Sequence, residues 1–285
     1  MSLDARLFVV ATPLGNVDDL APRARKILST VDYILCEDTR RSQRLLAALG
    51  ISGQKLISYH DHNEAVRIPW VLEKLSLGHN IALISDAGTP LVADPGYRLV
   101  RACRKAKLLV SPVPGPSAPV AALACAGLPP IPYTFLGFLP RDEAAKVKLF
   151  QTFAAMPCTL VFFERSDRLQ ASLSIASSIL GPRELAICRE LTKIYEEFKL
   201  LRLEEYASLD SQILGEITVL VGPPERSLRA SKDSVLAQIR PYVQNQVPAR
   251  KIVHAVEALV QGWSSKEIYS LITQLKAELS PKESL

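Results

Sequence analysis

IALISDAGTPLVADPG, residues 81–96, passes from a short apolar run into a loop with two Gly, two Pro and two Asp. Ile81–Ser85 has the length and apolar character of a buried strand. The residues after it favour neither helix nor strand, because Gly and Pro interrupt both. Ala87 and Gly88 are small enough to bring the backbone close to a ligand, and Thr89 supplies a hydroxyl. The stretch therefore predicts a strand that ends in a ligand-binding loop.

The same order of strand and helix recurs through the first 130 residues. Such repetition predicts a mostly parallel sheet with right-handed crossovers, and ligands bind at the carboxyl ends of its strands. The predicted strands are Leu7–Ala11, Tyr33–Cys36, Lys55–Tyr59, Ile81–Ser85 and Leu108–Val113. The predicted helices are Asp19–Leu28, Ser42–Leu49, Glu64–Leu75, Gly96–Lys107 and Ser117–Ala126.

The remaining sequence predicts two further regions. Ile131–Arg141 is rich in Pro, Gly and aromatic residues and is typical of a linker. A second αβ unit with less regular spacing follows, which favours a mixed sheet. Three amphipathic helices are predicted after it, at Ser231–Val243, Ala249–Gly262 and Ser264–Leu279. The predicted domains are 1–130, 131–224 and 225–285.

The composition predicts a cytoplasmic protein. The chain has 285 residues, 48% of them apolar, which is enough to bury one or two cores. Its five Cys are scattered without a C-x-x-C pair, as expected of reduced thiols. No apolar run approaches the roughly 20 residues of a membrane span, and the start is not typical of a signal peptide. The net charge of +5 is compatible with an anionic partner.

EDTRRSQR, residues 37–44, combines Glu37 and Asp38 with three Arg at the end of the second predicted strand. Arg40 and Arg44 are four residues apart and share a helix face. One interpretation is a solvated charge run whose ion pairs contribute little. The other is an acid pair beside an Arg cluster that binds phosphates.

Other sites are excluded or less favoured. The chain lacks G-x-G-x-x-G and G-x-x-x-x-G-K-[ST], so neither a dinucleotide fingerprint nor a P-loop is present. His60 and His62, with Asp61 and Glu64 nearby, would be a conceivable metal site, but further ligands are not evident. Loop hydrogen bonding is the favoured role of this segment, and no metal is predicted.

Eight motifs occur in a fixed order and together resemble one known family. They are ATPLGN, CEDTRRS, SYHDHNE, SDAGTPLVADPG, VPGPSA, GFLPR, FFERSDR and RELTKIYEE. The chain resembles the tetrapyrrole-methylase family, in its ribosomal branch, over about residues 6–224. The resemblance implies two αβ domains with S-adenosylmethionine in the cleft between them, and a homodimer. It also implies 2′-O-methylation of a cytidine in small-subunit ribosomal RNA.

The resemblance also implies roles for individual residues. An acidic residue at the end of the second strand is the implied proton acceptor, and here Glu37 and Asp38 are the two candidates. Arg40, Arg41 and Arg44 are the predicted RNA contacts. The implied cofactor-binding residues are Leu14, Ala87, Gly88, Thr89, Val92, Ser117, Ala118, Glu164 and Leu191.

Two other functions stay open at this point. Methylation of a tetrapyrrole or another small molecule would use the same fold. Tetrapyrroles are polyanionic too, so charge alone does not separate the two substrates. A non-catalytic RNA-binding protein, working through the C-terminal helices around Gly262, is the alternative from another class.

Overall fold

The structure is a computed structural model that describes residues 5–210, 213–224, 230–260 and 262–279. The chain divides into two compact units, one up to Pro223 and one from Pro224 onwards. In the described residues, the first unit holds two five-stranded sheets and the second holds three α-helices. The predicted α/β fold class is confirmed. The domain limits at residues 130 and 224 stay predictions.

The first sheet consists of β1 (Arg6–Val10), β2 (Tyr33–Cys36), β3 (Lys55–Ser58), β4 (Ile81–Leu83) and β5 (Leu109–Val113). Its order is β3-β2-β4-β1-β5, and every strand pair is parallel, as predicted. All five carboxyl ends therefore meet at one edge. The loops that follow the strands are brought together there.

Helices cover both faces of this sheet. They are α1 (Pro22–Leu28), α2 (Thr39–Ala48), α3 (Glu64–Ser76) and α4 (Tyr97–Lys105). Helix α5 (Ala118–Cys125) follows β5. Side chains alternate along a strand, so Ile34 packs with α1 and α2, whereas Leu35 packs with α3 and α4. Helices α2 and α4 thus lie on opposite faces, although both begin at the edge where the strands end.

The second sheet is mixed, as predicted. It consists of β6 (Tyr133–Phe138), β7 (Thr159–Arg165), β8 (Glu184–Arg189), β9 (Glu197–Arg202) and β10 (Glu216–Val221). The order is β6-β7-β10-β8-β9, and β6 and β7 form the parallel pair. Helices α6 (Glu143–Phe153) and α7 (Leu169–Leu180) pack on one face, and α5 packs on the other. Helix α5 therefore connects the two halves of this unit.

One strand of this sheet contradicts a prediction, and another was not predicted. The predicted linker Ile131–Arg141 contains β6, whose register shifts between Phe135 and Phe138, around Gly137 with φ of +69°. That irregularity and the flanking Pro residues interrupt the alternating pattern by which a strand is predicted from sequence. Strand β9 escaped prediction because its sequence, EFKLLR, carries charges at an edge position, where alternation is weak.

The C-terminal unit contains α8 (Lys232–Gln244), α9 (Ala249–Glu257) and α10 (Ser265–Leu279). The three predicted helices are confirmed, although α9 ends before Gly262. Gln261, inside the predicted second helix, lies outside the described residues. Ile239, Ile252 and Ile272 are buried in the core that these helices share. No helix in the described ranges is long and apolar enough to cross a membrane.

Candidate functional site

The loop after β4 is pinned to the turn after β1. Thr12 and Gly88 form an isolated antiparallel bridge, with Thr12 N–H to Gly88 O at 2.8 Å and Gly88 N–H to Thr12 O at 3.1 Å. Gly88 has φ of +77°, and a Cβ there would lie 3.1 Å from Leu14 Cδ2. Gly88 is therefore required by its backbone conformation and by the close approach of Leu14.

A second tether joins the same loop to the turn after β5. The Thr89 hydroxyl donates to the Pro116 carbonyl at 2.9 Å, and the Ser85 hydroxyl lies 3.2 Å from the Ala87 carbonyl. Ser117 occupies the cap position of α5 but makes no capping hydrogen bond with its side chain. Three strand-end loops thus hold one another in place, and the Ser117 hydroxyl on their edge is not used to cap α5.

These loops form one wall of a cleft of about 630 Å³. The opposite wall comes from the second sheet, through the ends of β6, β7 and β10. Such a volume lies within the roughly 300–1,000 Å³ of small-molecule sites. The lining residues include Leu14, Arg41, Asp86, Ala87, Gly88, Thr89, Val92, Ala93, Asp94, Ser117, Ala118, Phe138, Phe163, Glu164, Gly215, Glu216 and Ile217.

The cleft brings together eight of the nine residues that the resemblance implied for the cofactor. Leu191 is the exception, because it is buried in the apolar cluster that Leu14 and Ala118 also contact. Phe138, Phe163 and Ile217 also line the cleft, and the sequence did not predict them. They reach the cleft only through the strand pairing of the second sheet, which is non-local. The aromatic GFLPR and FFERSDR motifs were the available signal.

Glu164 is held rigidly in the second wall. Its Oε2 accepts a hydrogen bond from Ser172 at 2.6 Å, and its Oε1 accepts the Arg165 N–H at 2.8 Å and the Arg168 guanidinium. The buried Lys146 ammonium lies 3.3 Å from the Ser172 hydroxyl. Each carboxylate oxygen therefore has a partner, which satisfies the requirement of a buried charge.

Four carboxylates gather at one end of the cleft. Asp86 and Asp94 line the cleft, while Glu37 and Asp61 lie close enough to interact with them electrostatically. Burial raises the pKa of Glu37 to about 7, and repulsion from Asp94, Asp86 and Asp61 adds to this effect. Burial likewise raises the pKa of Asp94. Glu37 is not itself a lining residue; it accepts the backbone N–H of Asp86.

Asp38 has a different role. Its side chain caps α2 by accepting the N–H groups of Arg40 at 2.8 Å and Arg41 at 3.4 Å. The Arg40 side chain also lies 3.3 Å from Asp38 Oδ2. Hydrogen bonds from Arg40 hold the pKa of Asp38 below its usual range. Asp38 is thus engaged by the start of α2, whereas Glu37 interacts with the carboxylates of the cleft.

The three predicted Arg contacts differ from one another. Arg40 and Arg41 are 85% and 71% exposed, and Arg41 lies 3.0 Å from Asp86 Oδ2 on the cleft wall. Asp86 Oδ1 is buried and has no hydrogen-bond partner among the described residues. Arg44 is exposed and forms no ion pair within the described part of the chain. The three cations surround the start of α2, beside the acidic end of the cleft.

Side chains of the segment from Tyr59 to Glu64 form local hydrogen bonds. His60 Nε2 faces Asn63 at 3.2 Å, and Glu64 accepts a hydrogen bond from the buried Tyr59 at 2.6 Å. Within the described residues, no group of three or more His, Cys, Asp or Glu could hold a metal ion.

Comparisons with known proteins agree with this architecture. Residues 6–207 match the family model of the tetrapyrrole (corrin/porphyrin) methylases. The chain is 45% identical to ribosomal RNA small subunit methyltransferase I of Escherichia coli O157:H7, over 93% of each chain. It is 39% identical to the protein of that name from Mesorhizobium japonicum, over 96% of this chain and 93% of the relative.

Solved structures share the fold at low sequence identity. The methyltransferase CobJ superposes with a TM-score of 0.61 at 19% identity, over 80% of this chain and 96% of its own. Diphthine synthase superposes with a TM-score of 0.62 at 13% identity, over 76% and 90%. The family match and the relatives together show that this chain is a methyltransferase and belongs to the tetrapyrrole (corrin/porphyrin) methylase family.

Proposed function

We propose that the protein transfers a methyl group from S-adenosylmethionine to the 2′-hydroxyl of a cytidine in small-subunit (16S) ribosomal RNA. The observation that carries the proposal is the cleft itself. Its acidic end adjoins three exposed Arg at the start of α2. The name shared by the relatives at 39–45% identity supports the choice of substrate.

Polar and apolar groups on the cleft wall suit S-adenosylmethionine. Asp86 Oδ1 is a buried acceptor that has no donor among the described residues, which suits the cationic amino group or a hydroxyl of the ligand. Leu14, Ala118 and Phe163 supply apolar surface for the adenine. The Ser117 hydroxyl and the Thr89 oxygen are further polar groups on the wall. These residues, with Ala87 and Val92, would hold the cofactor.

Bound S-adenosylmethionine supplies an electrophilic methyl group on a sulfonium. The protein has to orient the ribose hydroxyl and accept its proton. The tethered loops and the hydrogen-bonded Glu164 form rigid walls that can orient the cofactor and the ribose. Such orientation can contribute several kcal/mol to catalysis. Glu37 is the proposed proton acceptor. It lies next to Asp86 and Asp94 of the cleft wall, and its pKa of about 7 suits a general base near neutral pH.

Arg40 and Arg44 are proposed to contact RNA phosphates, whereas Arg41 also fixes Asp86. The double variant Arg40→Gln/Arg44→Gln is expected to reduce the salt slope of RNA binding by about 1.4, at roughly 0.7 per phosphate contact with single-stranded RNA. Its affinity for S-adenosylmethionine should match that of the wild type in calorimetry. An unchanged salt slope would make both residues part of an ordinary solvated face.

We further propose that the protein acts in the cytoplasm as a homodimer. The ribosomal substrate supports the location, and the resemblance to the ribosomal branch supports the dimer. Sedimentation of the full chain at micromolar concentration tests the oligomeric state. A monomer would contradict the dimer without affecting the proposed reaction.

The decisive experiment measures methyl transfer from labelled S-adenosylmethionine to purified small subunits and to 16S RNA, followed by nucleoside analysis. We expect label in 2′-O-methylcytidine. Label in a tetrapyrrole offered in parallel, with none in RNA, would favour the small-molecule reaction instead. RNA binding without any cofactor binding would indicate a non-catalytic protein.

A further inference from the structure

Helix α4 presents a strongly basic face. Between Tyr97 and Lys107 the sequence contains five cations and no acidic residue. All five are exposed: Arg98, Arg101, Arg104, Lys105 and Lys107. Arg98, Arg101 and Lys105 are spaced by three and four residues, so they form one stripe along the helix. The stripe extends for about 10 Å at the usual helical rise.

Little within the described residues neutralises this face. Of the five cations, Arg98 alone approaches a carboxylate of the described chain, with its Nε 3.6 Å from Glu64 Oε2. Arg101 donates to the Tyr97 hydroxyl at 3.3 Å, and Arg104 donates to a backbone carbonyl at 3.3 Å. The face therefore has free positive charge, which suits a polyanion.

Helix stability does not account for the arrangement. Cations in the last turn, such as Arg104 and Lys105, interact favourably with the helix dipole. Arg98 lies in the first turn, where that interaction is unfavourable, and Arg101 lies in the middle of the helix. Arg98 lies near Glu64, whereas a ligand outside the protein gives a reason for Arg101.

The basic face begins at the mouth of the cleft. Helix α4 follows directly on the loop of residues 85–96. Tyr97 and Arg98 line a smaller pocket of about 240 Å³, together with Asp94, which also lines the cleft. Tyr97 is 63% exposed, so its ring is accessible for stacking on a nucleobase.

We propose that the exposed face of α4 binds backbone phosphates of the substrate RNA, while Tyr97 stacks on a base near the target nucleotide. This proposal rests on the proposed function and names a second contact surface for its substrate. Because α2 and α4 lie on opposite faces of the first sheet, the RNA would contact the protein on both sides of the acidic end. Aromatic stacking next to basic side chains is the usual recognition of unpaired RNA.

The charge variant Arg101→Gln/Lys105→Gln tests the phosphate contacts. Gln keeps good helix propensity and removes only the charge. The matched control, Lys26→Gln/Lys148→Gln, removes two exposed helical cations from α1 and α6. We expect the α4 variant to lower the salt slope of 16S RNA binding by about 1.4, while the control changes it far less. Cofactor affinity and melting temperature should match the wild type in both.

Tyr97 is tested separately. Tyr97→Leu should weaken RNA binding by about tenfold, the lower part of the usual range for a stacked base, whereas Tyr97→Phe should bind like the wild type. Equal losses in Leu and Phe variants would contradict stacking.

Equal salt slopes for the α4 variant and its control would overturn the phosphate contacts. The phosphate contacts would also be overturned if the α4 variant lost RNA binding and sedimentation showed that a dimer had dissociated. Wild-type methyl transfer is measured in the same series. If the wild type methylates RNA and the α4 variant behaves like the control, only this inference fails. If the wild type methylates no RNA, the proposed function fails by itself.

Discussion

Replacing Glu37 by Gln is expected to slow single-turnover methyl transfer at least about 100-fold at saturating cofactor and RNA. The amide keeps the size of the side chain and can still accept the Asp86 N–H, but it cannot take up a proton near neutral pH. Calorimetry should find wild-type affinities for both ligands. A loss below about tenfold would mean that orientation carries the reaction and that solvent takes the proton.

The pH dependence follows from the same group. Glu37 must be ionised to act as a base, and its pKa is raised to about 7. The single-turnover rate of the wild type should therefore fall about tenfold per pH unit below this value and level off above it. The rate of the Glu37→Gln variant should not show this fall below pH 7. A wild-type rate that stays constant between pH 6 and pH 8 would contradict the assignment.

The folding stability of the wild type should fall as the pH rises, whereas the methylation rate should rise. The pKa of Glu37 rises from an ordinary value near 4.5 to about 7, so between these pH values the folded chain keeps a proton that the unfolded chain releases. Glu37 thus reduces stability progressively as the pH rises through this window. Glu37→Gln should melt at the same temperature as the wild type or higher at pH 8. This readout separates lost catalysis from lost folding.

Asp38 provides the matched control for Glu37. Asp38→Asn keeps a good helix cap, so its methylation rate should stay within a few fold of the wild type. Asp38→Ala removes the cap and should cost about 1 kcal/mol of stability. A larger rate loss in Asp38→Asn than in Glu37→Gln would reverse the choice between the two carboxylates.

Filling the cleft at Ala87 is expected to abolish cofactor binding. Ala87 lines the cleft, has no positive φ and belongs to none of the buried core clusters. A Phe side chain at this position should take up space that the ligand needs. Calorimetry should find an affinity for S-adenosylmethionine at least about 100-fold lower, or about 2.7 kcal/mol. The melting temperature of the free protein should change little.

Gly88 is a poorer position for this test, although it lies next to Ala87. Its φ of +77° would strain any L-residue by about 1–2 kcal/mol, so a Gly88→Val variant should lose stability along with any ligand. Ala144→Phe, on an exposed turn of α6, is the control for added aromatic surface. If Ala87→Phe bound S-adenosylmethionine as tightly as the wild type, the loop of residues 85–96 would not be part of the cofactor site.

The sequence alone determined the parallel first sheet and the importance of its loops. Alternating strand and helix patterns are local, and the run of Gly and Pro after Ile81–Ser85 reports a backbone that only a few residues permit. The tertiary structure decided the rest of the site. Phe138 and Phe163 reach the cleft through pairing of the second sheet, where a shifted register hides β6.

The choice between Glu37 and Asp38 shows the same division most clearly. The two residues are neighbours of the same chemical class, so no local pattern separates them. Asp38 is taken up by the start of α2, a contact within its own segment. Glu37 owes its raised pKa to burial and to carboxylates from residues 61, 86 and 94, which are distant in sequence. Desolvation and repulsion depend on positions in space, and only the folded chain sets those positions.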